Sequence, residues 1–195
     1  AGEGRSCCAG MDLRGVIDDP EVMGTMLREL AKASKRIRNL PVPTIARVQG
    51  AAVGGGCGLM VVCDFAFTHP ESKVGYPEVD LGVCPAVVAP WLVKKLGAGR
   101  ARAMLLAGGT MTGKQGFEAG LATHLCGLDD LPGAVNEFAE NLAKGGKNAL
   151  ATTKMWLNEL DGSLDDDILQ KGADLSAKII AGPEAQARLR PLYAK

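Results

Sequence analysis

Two stretches carry residue types at spacings suited to chemistry. In Gln49-Gly50-Ala51-Ala52-Val53-Gly54-Gly55-Gly56-Cys57-Gly58-Leu59-Met60, a strand-like run from Thr44 to Val48 enters a three-glycine turn, and an apolar helical run leaves it. Consecutive glycines permit positive φ and let another molecule approach the backbone closely. Free N–H groups at a helix start, with the positive end of its dipole, can hold an anion or a developing oxyanion. The same turn would also serve as a packing device between strand and helix. The second stretch, Gly75-Tyr76-Pro77-Glu78, places a carboxylate after a proline among Val74, Tyr76, Val79, Leu81 and Val83. Apolar flanks should desolvate Glu78 and raise its pKa toward neutrality, where a carboxyl group works as acid and base. The alternative is a glutamate at a helix start, stabilised by the dipole.

Other candidate motifs fall away on inspection. Gly108-Gly109-Thr110-Met111-Thr112-Gly113-Lys114-Gln115 nearly spells a phosphate-binding loop, but Gln115 stands where a magnesium-binding Ser or Thr is needed, and a helical pattern precedes it. The six cysteines (7, 8, 57, 63, 84 and 126) show no C-x-x-C spacing, and with two histidines no metal site is expected. Cys7-Cys8 lacks a histidine partner for nucleophilic work, with His69 expected in a surface turn and His124 in a strand-like segment. Reduced thiols fit a protein of the cytoplasm or an organellar matrix.

The elements that must position these groups follow from pattern. The 195 residues fit one domain, and 47% apolar content with 4% aromatic suggests a close-packed α/β interior of small residues. Twenty-two basic residues balance 22 acidic ones, so no global charge favours nucleic acid or an anionic membrane, and no apolar run is long enough to span one. Asp19-Pro20 is a helix start, and Val22, Met26, Leu27, Leu30 and Ile37 recur at helical spacing up to Asn39. Short strands are expected at Asp64 to Thr68 and Lys73 to Gly75, which with the preceding strand and helix reads as right-handed βαβ winding. Further helices are expected at Ala89 to Leu96, Gly99 to Ala107, Gly113 to Ala119, Leu131 to Lys144, Asn148 to Leu160, Leu164 to Ala181 and Pro183 to Tyr193. The apolar faces of the closing helices (Met155, Trp156, Leu157; Ile168, Leu169, Leu175, Ile179) suit packing on a neighbour.

Read with Cys8-Ala9-Gly10-Met11-Asp12-Leu13, about forty positions upstream, the glycine turn and Gly75-Tyr76-Pro77-Glu78-Val79-Asp80-Leu81-Gly82 resemble the crotonase (enoyl-CoA hydratase/isomerase) superfamily. The likeness continues through Gly108 to Thr112, Glu118-Ala119-Gly120-Leu121 and Pro183-Glu184-Ala185. It implies an α/β fold of repeated ββα units, with a core over residues 1–130 and a C-terminal helical trimerisation region over 131–195. It implies a homotrimer or homohexamer acting on a short or branched acyl-CoA, with coenzyme A as part of the substrate and no separate cofactor. By resemblance, backbone N–H groups of Met11 and Gly55 form an oxyanion hole and Glu78 is the acid/base. Ala9, Asp12, Leu13 and Arg14 border the substrate, with Arg14 beside a phosphate; the basic cluster Lys32, Lys35, Arg36 and Arg38 either reaches CoA phosphates or is a solvated helix face. Gly58 departs from the two-glutamate hydratases of the family, which carry their second carboxylate there, and Ala86 stands where some members have an Asp. One carboxylate suits moving a proton between two carbons, as in an isomerase, better than activating water. Members also usually have a strand-rich segment ahead of the Cys8-Ala9-Gly10 loop, so the chain is expected to lack its beginning. A catalytically silent scaffold or RNA-binding member is the competing class.

Overall fold

The computed structural model describes residues 1–163 and 165–193. Helix α1 (Pro20–Arg38) starts as its sequence dictates: Asp19 accepts the Glu21 and Val22 amides, and Pro20 sits in the first turn. The chain then alternates between two small sheets. Strand β1 (Ile45–Val48) lies in one sheet, β2 (Ala52–Val53) in the other, and α2 (Gly55–Val62) follows. The next turn of the winding repeats the order with β3 (Phe65–Thr68), β4 (Lys73–Gly75), a 3-10 turn at Val79–Leu81, α3 (Ala89–Leu96) and α4 (Ala98–Ala107). Strand β5 (Thr110–Thr112), α5 (Gly113–Glu118) and β6 (His124–Leu125) close it. One sheet has the order β1-β3-β6, all parallel; the other has β2-β4-β5, with β5 antiparallel. This is the repeated ββα arrangement, with core residues such as Val48, Ala52, Met60, Ala66 and Val74 between the layers.

Four helices end the chain: α6 (Leu131–Ala143), α7 (Lys147–Leu160), α8 (Asp166–Ile180) and α9 (Pro183–Tyr193). The expected start of α8 at Leu164 lies outside the described residues. Helix α8 packs back along α1, where a Cβ at Gly24 would stand 3.2 Å from Ala177 and Arg28 pairs with Asp174 at 3.0 Å. So its apolar face divides: Leu169, Ala173 and Ile180 are buried in this chain, whereas Ile168, Leu175 and Ile179 stay exposed. Helix α7 docks by polar groups, with Lys154 donating to Asp64 and Asn158 to the Arg38 carbonyl, and it leaves Trp156, Leu157 and Leu160 in solvent.

One expectation needs correction. His69 is buried at 6% exposure rather than placed in a surface turn. Helix α5 covers it: the Lys114 amide bonds Pro70 and the Gly113 amide bonds Ser72, and a Cβ at Gly113 would come within 2.1 Å of the His69 carbonyl. The strands β2 and β5, only two and three residues long, escape a periodicity reading because alternation needs a longer run. The phosphate-loop lure also resolves. Gln115 accepts the Thr112 amide while the Thr112 hydroxyl accepts the Gln115 amide, a capping box starting α5.

Candidate active site

One row of backbone pairing brings the candidate groups together. Cys8 bridges Ala52 in parallel, and Ala52 pairs with Val74 in parallel. Hydrogen bonds stitch the row: Cys8 N–H to the Ala51 carbonyl, Val53 N–H to Cys8, and Gly54 N–H to Gly75, all at 2.9–3.0 Å. Beyond this row each chain turns, and Met11, Gly55 and Glu78 follow three, three and four residues later. Three groups distant in sequence thus emerge at the carboxyl ends of neighbouring parallel strands, where α/β sheets open their crevices.

The glycines make this close approach feasible. Gly10 (φ 108°) and Gly54 (φ 58°) adopt conformations that L side chains avoid, and each immediately precedes a candidate donor amide, Met11 or Gly55. A Cβ on Gly56 would come within 2.1 Å of the Cys8 carbonyl, so the loop before Met11 could not lie against α2 with a side chain there. Gly55 is the first residue of α2, and neither its amide nor that of Met11 has a hydrogen-bond partner among the described residues.

Met11, Gly54, Gly55 and Glu78 line one cavity of about 210 Å³ with Ala9 and Leu13. Most of its remaining wall is apolar, from Leu27 and Leu30 of α1, Leu81 of the 3-10 turn, Val83 just after it, Val88, and Ile180 and Leu189 of α8 and α9. Glu78 faces the glycine turn, with Oε1 3.3 Å from where a Cβ on Gly54 would sit. Its Oε2 is buried without a hydrogen-bond partner among the described residues. Burial in this apolar wall, with Asp80 adding a little, pushes the Glu78 carboxyl up to about 7, against a partly opposing bond from its own backbone. Only a single 3-10 turn follows Glu78, so desolvation rather than a helix dipole governs it.

The other anticipated residues divide. Asp12 and Arg14 do not line the cavity; they are exposed and grip each other, Arg14 Nε donating to Oδ1 at 2.8 Å and Nη2 to Oδ2 at 2.6 Å. The bonds from Arg14 hold the Asp12 carboxyl down at about 2. In the basic cluster Lys32 pairs with Glu29, Lys35 with Asp166 and Arg38 with Asp161, so α1 is tied to the start of α8 and the end of α7. Gly58 has no room for a side chain: a Cβ there would stand 2.4 Å from Val88 Cγ1, and Val88 is itself in the cavity wall. Burial pushes the Cys57 thiol up to about 12, and it also raises Cys7, Cys63, Cys84 and Cys126, which opposes thiolate chemistry. No local pattern marks Ser176, Ile180, Leu189 or Tyr193 for the wall they also line. Ser176 donates to the Cys84 carbonyl at 2.8 Å, and only the packing of α8 against the 84–87 loop, through Gly172 on the Ala86 carbonyl, puts it there. Among the described residues no group of three His, Cys, Asp or Glu could hold a metal, and no helix is long and apolar enough to cross a membrane.

Alternating sheets, a glycine turn with open amides and one desolvated carboxyl define an α/β protein of the crotonase type. A model of the enoyl-CoA hydratase/isomerase family matches residues 1–188, and the chain belongs to that family. It is 31% identical over 152 residues to "Enoyl-CoA isomerase/hydratase fer4" of Mycosarcoma maydis, covering 76% of this chain and 55% of the relative. It is also 31% identical over 129 residues to "Crotonyl-CoA hydratase" of Syntrophomonas wolfei, covering 66% of this chain and 50% of that protein. The crystal structure of an enoyl-CoA hydratase from Mycobacterium avium superposes with a TM-score of 0.84 at 28% identity, over 98% of this chain and 74% of the other. The chain spans 50–66% of the length of such curated relatives.

Proposed function

We propose that this chain carries the enolate-forming site of an enzyme acting on a short or branched enoyl-CoA, with Glu78 as its acid/base. The thioester oxygen would lie against the Met11 and Gly55 amides, and the acyl chain would fill the apolar wall. Losing one donor amide of such a pair typically costs ~3 kcal/mol of barrier. In the direction from a 3-enoyl to a 2-enoyl thioester, the Glu78 carboxylate takes a proton from C2. The electron pair moves onto the thioester oxygen as a dienolate, and Glu78 returns the proton to C4. Ala9 and Leu13 would border the acyl end, and Arg14, exposed beside Asp12, would meet a CoA phosphate by exchanging partners. No cofactor beyond coenzyme A in the substrate is needed.

The observation that carries this reading is the Glu78 carboxyl, its Oε2 unpartnered among the described residues, in the same cavity as the two open amides. Val88 filling the space over Gly58 favours the one-carboxylate proton shift over hydration by a carboxylate pair. The exposed Trp156, Leu157 and Leu160 support assembly as a trimer or a dimer of trimers, which sedimentation would measure. Crotonyl-CoA and a 3-enoyl-CoA, given separately to the full-length protein, test the reaction. Isomerisation of the second without hydration of the first is expected; the reverse result would assign a hydratase. No turnover of either, or turnover unchanged by Glu78→Gln, would leave the silent scaffold.

A further inference from the structure

Helix α2 has a second cavity at its other end, about 12 Å from the Glu78 site along the helix axis. It encloses about 200 Å³, shares no lining residue with the first, and is bordered by Arg38, Cys63, Asp64, Trp91, Lys94 and Lys95. Most of its acceptors are already engaged, Asp64 Oδ1 having only Arg38 Nη1 at 3.8 Å. Asp64 Oδ2 takes the Thr44 amide at 2.7 Å, the Thr44 hydroxyl at 2.9 Å and Lys154 Nζ at 2.8 Å. Asp161 binds Arg38 Nη2 at 2.6 Å through its carboxylate and Lys94 through its backbone carbonyl.

Its donors are not all engaged. Arg38 Nη1 is 3.8 Å from Asp64, beyond hydrogen-bond range. Lys95 is half-buried with no ion pair or hydrogen bond among the described residues, and desolvation first, then Arg38, disfavours its charge while Asp64 favours it. The Trp91 indole, 3% exposed, has a buried N–H with no partner among the described residues. The ends of α1, α2 and α3 meet here, and their carbonyl ends explain why basic residues collect. That dipole argument accounts for the cations but leaves the Trp91 indole N–H unfilled, and an unfilled buried donor is unfavourable.

We propose that this cavity binds a small phosphate-type oxyanion, held by Lys95, Arg38 Nη1 and the Trp91 indole N–H. Three side chains with donors line the cavity, which suits a tetrahedral group carrying several acceptors. A planar carboxylate would suit the guanidinium fork, which already faces Asp161. Trp91 and Trp156 are the only tryptophans, so Trp156→Phe makes Trp91 emission a direct reporter. Inorganic phosphate would be titrated into that full-length variant against acetate and chloride at equal ionic strength. A saturable emission change with phosphate is expected, about tenfold weaker in affinity with Lys95→Gln and restored with Lys95→Arg. Equal responses to acetate or chloride, or an undiminished response in Lys95→Gln, would overturn the assignment. If Lys95→Gln fails to fold, protection of Lys95 from acylation by phosphate in the unaltered chain decides, and no protection overturns it.

Discussion

The two ends of α2 treat a carboxylate in opposite ways. At its start, Glu78 is desolvated by an apolar wall with no cation in hydrogen-bond contact, and its pKa rises to about 7. At its end, Asp64 is gripped by Thr44 and Lys154, with Arg38 close by. Both are at least partly buried, so burial alone does not make a carboxyl reactive. The difference is counter-charge, which Glu78 lacks in its apolar wall, and Arg14, three residues after Met11 of that cavity, is engaged by Asp12.

The largest effect that would sharpen this contrast is expected from Glu78→Gln. Turnover of an enoyl-CoA should fall 10²–10⁴-fold, measured as kcat/KM, because a positioned acid/base is lost. For the unaltered enzyme, kcat/KM should rise with pH through about 7 as Glu78 ionises. The stability sign runs the other way. The folded protein holds the Glu78 proton more tightly than the unfolded chain, so its stabilising contribution is complete below about 4.5 and fades as pH rises through about 7. Glu78→Gln should therefore stabilise the fold at pH 8, by up to about 3 kcal/mol in urea unfolding. A destabilised variant at pH 8 would break the comparison.

Asp64→Ala probes the other end. It strands Lys154, 6% exposed, without its counter-charge, and a loss of about 3–5 kcal/mol is expected in the same unfolding experiment. Activity per folded molecule should barely change, since Asp64 does not line the Glu78 cavity. Gly58→Ala lies between the two ends: its methyl would stand 2.4 Å from Val88 Cγ1, and overpacking should destabilise by about 1–3 kcal/mol. Adding Val88→Ala should recover most of that loss, and failure to do so would remove Val88 as the obstruction. Least of all, Trp156→Ser on the exposed face of α7 should change monomer stability by no more than about 0.5 kcal/mol, so a larger change that depends on protein concentration would reveal subunit contact.

Several elements were legible in the residues alone. Asp19-Pro20 announced α1, the glycine turn announced the start of α2, and Glu78 among apolar neighbours announced a raised pKa, because capping, glycine backbones and local desolvation act over a few residues. Pattern also supplied Met11 and Gly55 as candidate donors, through family resemblance rather than spacing. Only the tertiary structure decided the rest. The pairing of Cys8 with Ala52 and of Ala52 with Val74 sets those groups on neighbouring chain ends, and no local propensity encodes a register between two-residue strands. The docking of α8 brings Ser176 and Ile180 into the cavity wall, Val88 closes the space over Gly58, and α5 buries His69. These outcomes depend on close packing between segments far apart in the chain, where the steric fit of one surface on another determines which side chains reach a common cavity.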